Sequence, residues 1–340
     1  MSQYHSLPIA AVTAETRDAV TVTFAVPPEL EAVFRFTQGQ HVNVRARIEG
    51  AEVRRSYSIC AEAGVDRLRI LIKRQPEGLF SNWANDSLRA GQTLDVMPPS
   101  GLFHTPLDAA RAGRYLAVAA GSGITPVLSL LKTTLRAEPH SQFTLVYGNR
   151  ASSSILFREE LADLKDRYLD RFSLVHVMTR EHQDLDLLNG RLSAEKMEQL
   201  LRYWGPLAGM DAVFLCGPQL LNRELTDSFR AAGYSAARIK IEQFAANQQR
   251  QQAGAAGRPR AAATQTSREV RLILDGRQYR FPIERERETI LEAGLRAGLD
   301  LRFSCKSGVC ATCRAKLVSG EVDMDGNFAL EDNEIARGYI

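Results

Sequence analysis

The chain has 340 residues, enough for about two or three domains, and its 44% hydrophobic and 24% charged residues are an ordinary globular balance. Lys and Arg number 43 against 40 Asp and Glu, and a net charge of +3 argues against a dedicated nucleic-acid or membrane-surface binder. Five cysteines, three of them within nine residues (Cys305, Cys310, Cys313), fit a metal or redox site better than a secreted disulfide framework. No basic flank leads into an apolar run at the N-terminus, so a cytoplasmic protein is expected.

Residues 1–107 offer short β-branched runs at 19–24, 41–44, 68–72 and 93–96, with Gly39, Gly50, Gly64, Gly91 and Gly101 between them. One short helix is expected over 81–88. Short strands with such turns predict a barrel or a sandwich. From about residue 108 the pattern changes. Strands at 115–120, 143–147, 172–178 and 212–216 are each followed by a helix, at 126–136, 155–168, 193–203 and 219–232, and a last strand runs over 239–242. This alternation predicts an α/β domain with a parallel sheet over 108–244. The uncharged stretch 115–131 nearly has membrane-spanning length, but Gly121, Gly123 and Pro126 break it and Ser122 and Thr125 sit at its middle. It reads as strand, glycine turn and helix, and no membrane span is expected.

Residues 245–267 are rich in Gln, Ala and Gly, with three arginines and no acidic residue, and read as a flexible linker. Those arginines equal the whole net charge, so the chain on either side is close to neutral. Over 268–340 two β-rich runs flank Asp275-Gly276, a strong hairpin signal. A helix over 289–297, the cysteine loop and a strand over 314–318 complete a small α+β domain.

Cys305, Cys310 and Cys313 stand in the spacing Cys-x4-Cys-x2-Cys, which matches three of the four ligands of a plant-type [2Fe-2S] cluster. Ser304, Ser307 and Gly308 keep that loop compact enough for backbone amides to reach the sulfurs. A structural zinc loop is the alternative, but it would normally pair with a second Cys or His unit nearby, and none is present. Gly121-Ser122-Gly123-Ile124-Thr125-Pro126 joins a strand to a helix, where glycines let amides approach a pyrophosphate at the positive helix end. Cys216-Gly217-Pro218 ends another strand of the same sheet, so the two loops can line one crevice. In the first domain Arg55-Ser56-Tyr57-Ser58 ends a strand and Gly78-Leu79-Phe80-Ser81 opens the helix. An arginine can hold a phosphate, an aromatic ring can stack on a flat ligand and a helix start can take a second phosphate.

With these four motifs in this order, nearly the whole chain resembles the ferredoxin–NADP⁺ reductase superfamily with a plant-type ferredoxin fused at its C-terminus. Tyr147-Gly148-Asn149-Arg150 belongs to the same match. The resemblance implies an antiparallel β-barrel FAD domain, an α/β NAD(P)-binding domain and a β-grasp ferredoxin domain. It implies that Arg55 binds the FAD phosphates, Tyr57 packs on the isoalloxazine, and Ser58 lies near its reactive nitrogen. Gly78, Phe80 and Ser81 would hold the FAD pyrophosphate, although this chain has Glu77-Gly78 where the family often has two glycines. Gly121, Gly123, Thr125 and Pro126 would hold the nicotinamide cofactor, with Cys216, Gly217 and Pro218 opposite and Cys216 near the hydride-donating carbon. Glu242 and Phe244 match the segment that closes over the flavin, and Ser58, Cys216 and Glu242 would be the catalytic group. Arg150 stands where such enzymes often meet the adenosine 2′-phosphate, which favours NADPH. An acidic residue there would favour NADH, and none is expected to be present.

The same resemblance places a fourth cluster cysteine well after the third. Cys60 and Cys216 lie in other domains, so that ligand is expected beyond Ile340, in a truncated part of the chain. NADPH delivers two electrons together whereas the cluster takes one at a time, so a flavin belongs between them. The 23-residue linker, spanning roughly 25–30 Å as a random coil, would let the cluster domain swing between flavin and partner. The six histidines (His5, His41, His104, His140, His176, His182) are scattered, are expected mostly at the surface, and form no two-His-one-carboxylate set. The chain therefore needs a separate partner to receive its electrons, and the resemblance implies that this is a di-iron oxygenase. The alternatives are service to another multicomponent oxygenase, or a non-catalytic flavin and thiol redox sensor.

Overall fold

A computed structural model describes residues 4–244, 268–283, 288–308, 310–327, 330 and 332–340. The expected linker lies outside the described residues. The chain divides into two compact units, Met1–Phe244 and Ala245–Ile340.

The first unit opens with a sheet of six antiparallel strands: β1 (His5–Thr16), β2 (Ala19–Phe24), β3 (His41–Ile48), β4 (Ala51–Ser58), β5 (Arg69–Lys73) and β6 (Thr93–Val96). Their order is β4-β3-β6-β1-β2-β5, and a bridge between Ile59 and Ile70 ties the continuation of β4 to β5, closing the barrel. Leu7, Phe24, Val44, Ile59, Ile70 and Val96 fill its interior. Helix α1 (Leu79–Ser87) covers one end through Phe80 and Ala84, both buried. Strand β1 is not among the expected strands, because Pro8 and three alanines hide its alternation. It pairs with β6 through its first half and β2 through its second, with register shifts that mark bulges.

The second part of this unit is a five-stranded parallel sheet: β7 (Arg114–Ala120), β8 (Gln142–Asn149), β9 (Phe172–Met178), β10 (Ala212–Cys216) and β11 (Ile239–Glu242). The order is β11-β10-β7-β8-β9, which is doubly wound and reverses between β7 and β10. The helices are α2 (Ile124–Ala137), α3 (Arg158–Arg167), α4 (Ala194–Trp204) and α5 (Gln219–Ala231). Helix α2 starts two residues before Pro126, because the 3₁₀ turn Gly121–Gly123 runs directly into it. Helix α3 starts three residues later than expected. Ile155, Leu156 and Phe157 are buried instead, and Phe157 takes a left-handed φ of 58° while its N–H donates to Glu15 Oε1 at 2.6 Å. Of the six histidines only His140 and His182 are exposed. His41 is buried, which corrects the surface expectation.

The second unit contains the hairpin β12 (Arg268–Leu274) and β13 (Arg277–Ile283), turned by Asp275 and Gly276 at φ 49° and 78°. This is the conformation of a type I′ turn. Helix α6 (Ile290–Arg296) is capped by Thr289 and Glu292, each side chain accepting from the other's backbone N–H. It packs on β13 at Gly294, where a Cβ would lie 2.5 Å from Leu301 and 3.4 Å from Phe281. The strand expected over 314–318 is reduced to one bridge, Lys316 with Tyr339, flanked by paired Ala315 and Ile340 backbones. A short helix, α7 (Asp332–Ala336), precedes it.

Candidate functional site

On the barrel, Arg55, Ser56, Tyr57 and Ser58 form the end of β4 opposite Val44, Asn43, Val42 and His41 of β3. Arg55 is exposed, its Nη1 donating to Arg54 O at 2.7 Å, while Ser56 Oγ donates to Asn43 Oδ1 at 2.6 Å. The Tyr57 ring lies 5.8 Å from Phe80, which meets Trp83 edge-on at 5.5 Å. Burial pushes the Tyr57 hydroxyl well above its ordinary range, against the opposing charge of Arg55. Asn43 and Trp83 are additions to the expected residues.

Gly78 caps α1, and the preceding Glu77 holds a left-handed φ of 60°. Ser81 Oγ accepts from Gln75 N at 3.0 Å and donates to Gly78 O at 3.2 Å. Its hydroxyl therefore braces the loop, and the anion-facing donors of this segment are backbone amides at the helix start. An exposed guanidinium, an aromatic wall and an open helix N-terminus fit a flavin nucleotide.

Gly121 and Gly123 directly follow β7, and Gly217 and Pro218 follow Cys216 at the end of β10, on the two sides of the sheet reversal. A Cβ on Gly123 would lie 1.9 Å from the Cys216 carbonyl oxygen, so only glycine allows the two loops to touch. Gly121 holds φ 55°, and its carbonyl accepts from the Tyr147 hydroxyl at 2.9 Å. Thr125 is buried and donates to Ser122 O at 2.9 Å, and Pro126 is buried in the first turn of α2. Asn222, missed by the sequence reading, donates to Gly217 O and Glu242 O, each at 3.3 Å, and ties the loop to β11.

Cys216 and Glu242 are direct partners in the β10–β11 register. Burial pushes the Cys216 thiol far up, with the Glu242 charge adding to the effect. Burial also raises the Glu242 carboxyl to about 8, against the Ser58 hydroxyl, which favours its charged form. Cys216 of β10 and Glu242 of β11 thus stand side by side, and Ser58 of the barrel, whose buried Oγ has no hydrogen-bond partner among the described residues, lies near enough to act on the Glu242 charge. Phe244, 41% exposed, follows two residues after Glu242.

Arg150 is exposed just beyond β8. Ser152 Oγ and Ser152 N both donate to Glu181, the latter at 2.7 Å, so an acidic residue distant in sequence stands beside the Arg150 loop. This corrects the expectation that none is there.

In the second unit Cys305 and Cys310 interact directly, with Cys313 near enough to feel the charge of Cys305. Among the described residues no three ligating side chains converge closely enough to hold a metal ion by themselves. Ser307 N donates to Cys305 Sγ at 3.4 Å, and Lys306, Gly308 and Ala311 take φ of 52°, 73° and 49°. Left-handed residues spaced in this way curl amides toward the loop interior, a setting that fits an anionic sulfur cluster. A Cβ on Gly308 would lie 2.2 Å from Gly326 O.

Family models match three stretches of the chain: an oxidoreductase FAD-binding domain over residues 6–105, an oxidoreductase NAD-binding domain over 117–227, and a 2Fe-2S iron-sulfur cluster binding domain over 272–340. One subunit of the 1,2-phenylacetyl-CoA epoxidase of Escherichia coli K12 is 42% identical over 340 residues, covering 100% of this chain and 94% of that protein. The ferredoxin reductase component of 3-ketosteroid-9-alpha-monooxygenase from Rhodococcus rhodochrous is 32% identical, over 98% of this chain and 92% of that one. The solved structure of phthalate dioxygenase reductase, described as modular for electron transfer from pyridine nucleotides to [2Fe-2S], superposes with a TM-score of 0.62 at 26% identity, covering 99% of this chain and 92% of that one. No helix among the described residues is long and apolar enough to cross a membrane.

Proposed function

Because the chain belongs to the family of oxygenase reductase components built from FAD-binding, NAD-binding and [2Fe-2S] domains, we propose that it draws electrons from NADPH for the di-iron oxygenase of phenylacetyl-CoA epoxidation, in the cytoplasm. The observation that carries the redox reading is the nearness of Ser58 of the barrel to Glu242, itself paired with Cys216, which supports a flavin wall facing a nicotinamide crevice. The 42% identity to a component of that epoxidase over the full chain supports the choice of oxygenase.

Bound FAD would supply the exchange between a two-electron donor and a one-electron acceptor. The protein's part is binding and orientation. The proposed flavin ligands are Arg55 and the amides of Gly78, Phe80 and Ser81 for the phosphates, Tyr57 and Phe244 for the ring, and Ser56 through its bond to Asn43. Gly121, Gly123, Thr125, Pro126, Gly217 and Pro218 are the proposed nicotinamide nucleotide contacts, and Arg150 the contact to its 2′-phosphate. Burial holds a proton at the Glu242 carboxyl beside Ser58, and Cys216 excludes water where the two cofactors would meet. Cys305, Cys310 and Cys313 are the proposed cluster ligands.

NADPH oxidation measured with purified candidate oxygenases tests this reading. Stimulation by a phenylacetyl-CoA epoxidase oxygenase is expected. Stimulation only by a 3-ketosteroid-9-alpha-monooxygenase, whose reductase is also similar along its length, would assign the second reading. Bound flavin that stays oxidised under anaerobic NADPH would instead support a redox sensor.

A further inference from the structure

Strands β8 and β9 end side by side, with Asn149 opposite Met178. Their pairing continues past the strand ends: Thr179 N donates to Asn149 O at 3.0 Å and Arg180 N to Arg150 O at 2.8 Å. The next residue, Glu181, turns its carboxylate back onto the loop that follows Arg150. One oxygen accepts from Ser152 N at 2.7 Å and the other from Ser152 Oγ. Arg150, Arg158 and Arg180 are all exposed near these strand ends, and the Arg158 charge acts on Glu181. An N–H and a hydroxyl on one serine, two residues from an exposed arginine, make a donor set suited to a phosphate. In this chain the set is already filled by an internal anion.

We propose that Glu181 occupies, as an internal anion, the donor seat beside Arg150 that the adenosine 2′-phosphate would take, and thereby narrows the chain's preference for NADPH over NADH. This inference rests on the reading that Arg150 meets the 2′-phosphate. A phosphate brought to Arg150 must displace the carboxylate from Ser152 or bind beside it against like-charge repulsion. NADH, which carries a 2′-hydroxyl instead, meets no such repulsion and can donate a hydrogen bond to the same carboxylate. The three arginines attract the phosphate while Glu181 opposes it, so the choice of cofactor is the difference of two electrostatic effects in one loop.

Glu181→Gln separates these effects, because the amide oxygen can still accept from Ser152 while the negative charge is gone. Dissociation constants of NADP⁺ and NAD⁺ for the flavin-loaded full chain, measured by calorimetry, provide the readout. The variant is expected to bind NADP⁺ about tenfold more tightly and NAD⁺ within about twofold of the parent, with the gain shrinking at high ionic strength. Arg150→Ala is measured in parallel. If Arg150→Ala weakens NADP⁺ selectively while Glu181→Gln leaves it unchanged or weaker, the proposal is overturned and the Arg150 reading stands. If Arg150→Ala affects the two nucleotides equally or not at all, the 2′-phosphate lies elsewhere and both statements fall.

Discussion

Gly123 shows how one residue sets the nicotinamide crevice. With 1.9 Å between a would-be Cβ and the Cys216 carbonyl oxygen, Gly123→Ala must push β7 and β10 apart at the sheet reversal. The variant is expected to lose about 3 kcal/mol of stability in urea unfolding and to show a raised KM for NADPH. Glu242 makes a pH-dependent prediction. Its carboxyl is raised by burial from the ordinary 4.5 to about 8, so the folded chain holds its proton more tightly than the unfolded chain does. That contribution to stability is complete below about pH 4.5 and is lost as pH rises through about 8. The melting temperature of Glu242→Gln should therefore gain on the parent between about pH 5 and about pH 8.5, and parallel curves would contradict the buried carboxyl. Cys216 and Gly123 were legible in the sequence because glycine and cysteine carry local signals at strand ends. Glu181, Asn222 and Trp83 were not, since each acts through a partner in another segment and none belongs to a local pattern.

Among the elements, the parallel sheet was the most legible part, because each buried strand is a continuous apolar run and each helix an amphipathic one. The expected bounds of β2, β6, β9, β10 and β11 match the structure to the residue. Legibility failed where tertiary contacts decide: β1 is a strand because two partners share it, and α3 begins late because Phe157 is held by Glu15 from the barrel. The same kind of contact fixes barrel to sheet. Arg69 Nη2 of β5 donates to both oxygens of Glu160 of α3 at 2.9 and 2.8 Å, and Lys132 of α2 reaches Glu160 at 2.8 Å and Asp66 at 2.5 Å. All of these groups are partly buried, so Glu160→Ala leaves two cations sharing one remaining carboxylate. A loss of about 2 kcal/mol is expected in urea unfolding, between the values for exposed and fully buried pairs. Ser129 Oγ, donating to Ala61 O at 2.6 Å, and Ala63 N, donating to Thr133 Oγ1 at 3.0 Å, reinforce the junction. Because Ser58 and Glu242 come from opposite sides of it, loosening the junction should also slow flavin reduction by NADPH.

At the scale of the whole molecule the chain separates two tasks. The unit Met1–Phe244 holds the barrel, the parallel sheet and their three apolar clusters. The unit Ala245–Ile340 has a small apolar centre of its own, with Phe281 and Ala293 buried and Leu301 packed against Gly294. All the residues proposed for FAD and NADPH fall in the first unit and all the proposed cluster ligands in the second. The first unit needs nothing from the second to build its core, so a fragment of residues 1–244 should fold on its own. It is expected to bind FAD and to reduce ferricyanide, a small one-electron acceptor, with NADPH at close to the parent rate. It should fail to deliver electrons to the oxygenase, because the one-electron carrier between flavin and partner has been removed. Stopped-flow flavin reduction and an oxygenase-coupled assay on the same preparation separate these steps. A fragment that folds and takes electrons from NADPH yet still supports the oxygenase would mean that electrons leave directly from the flavin, and the cluster would then not lie on the route.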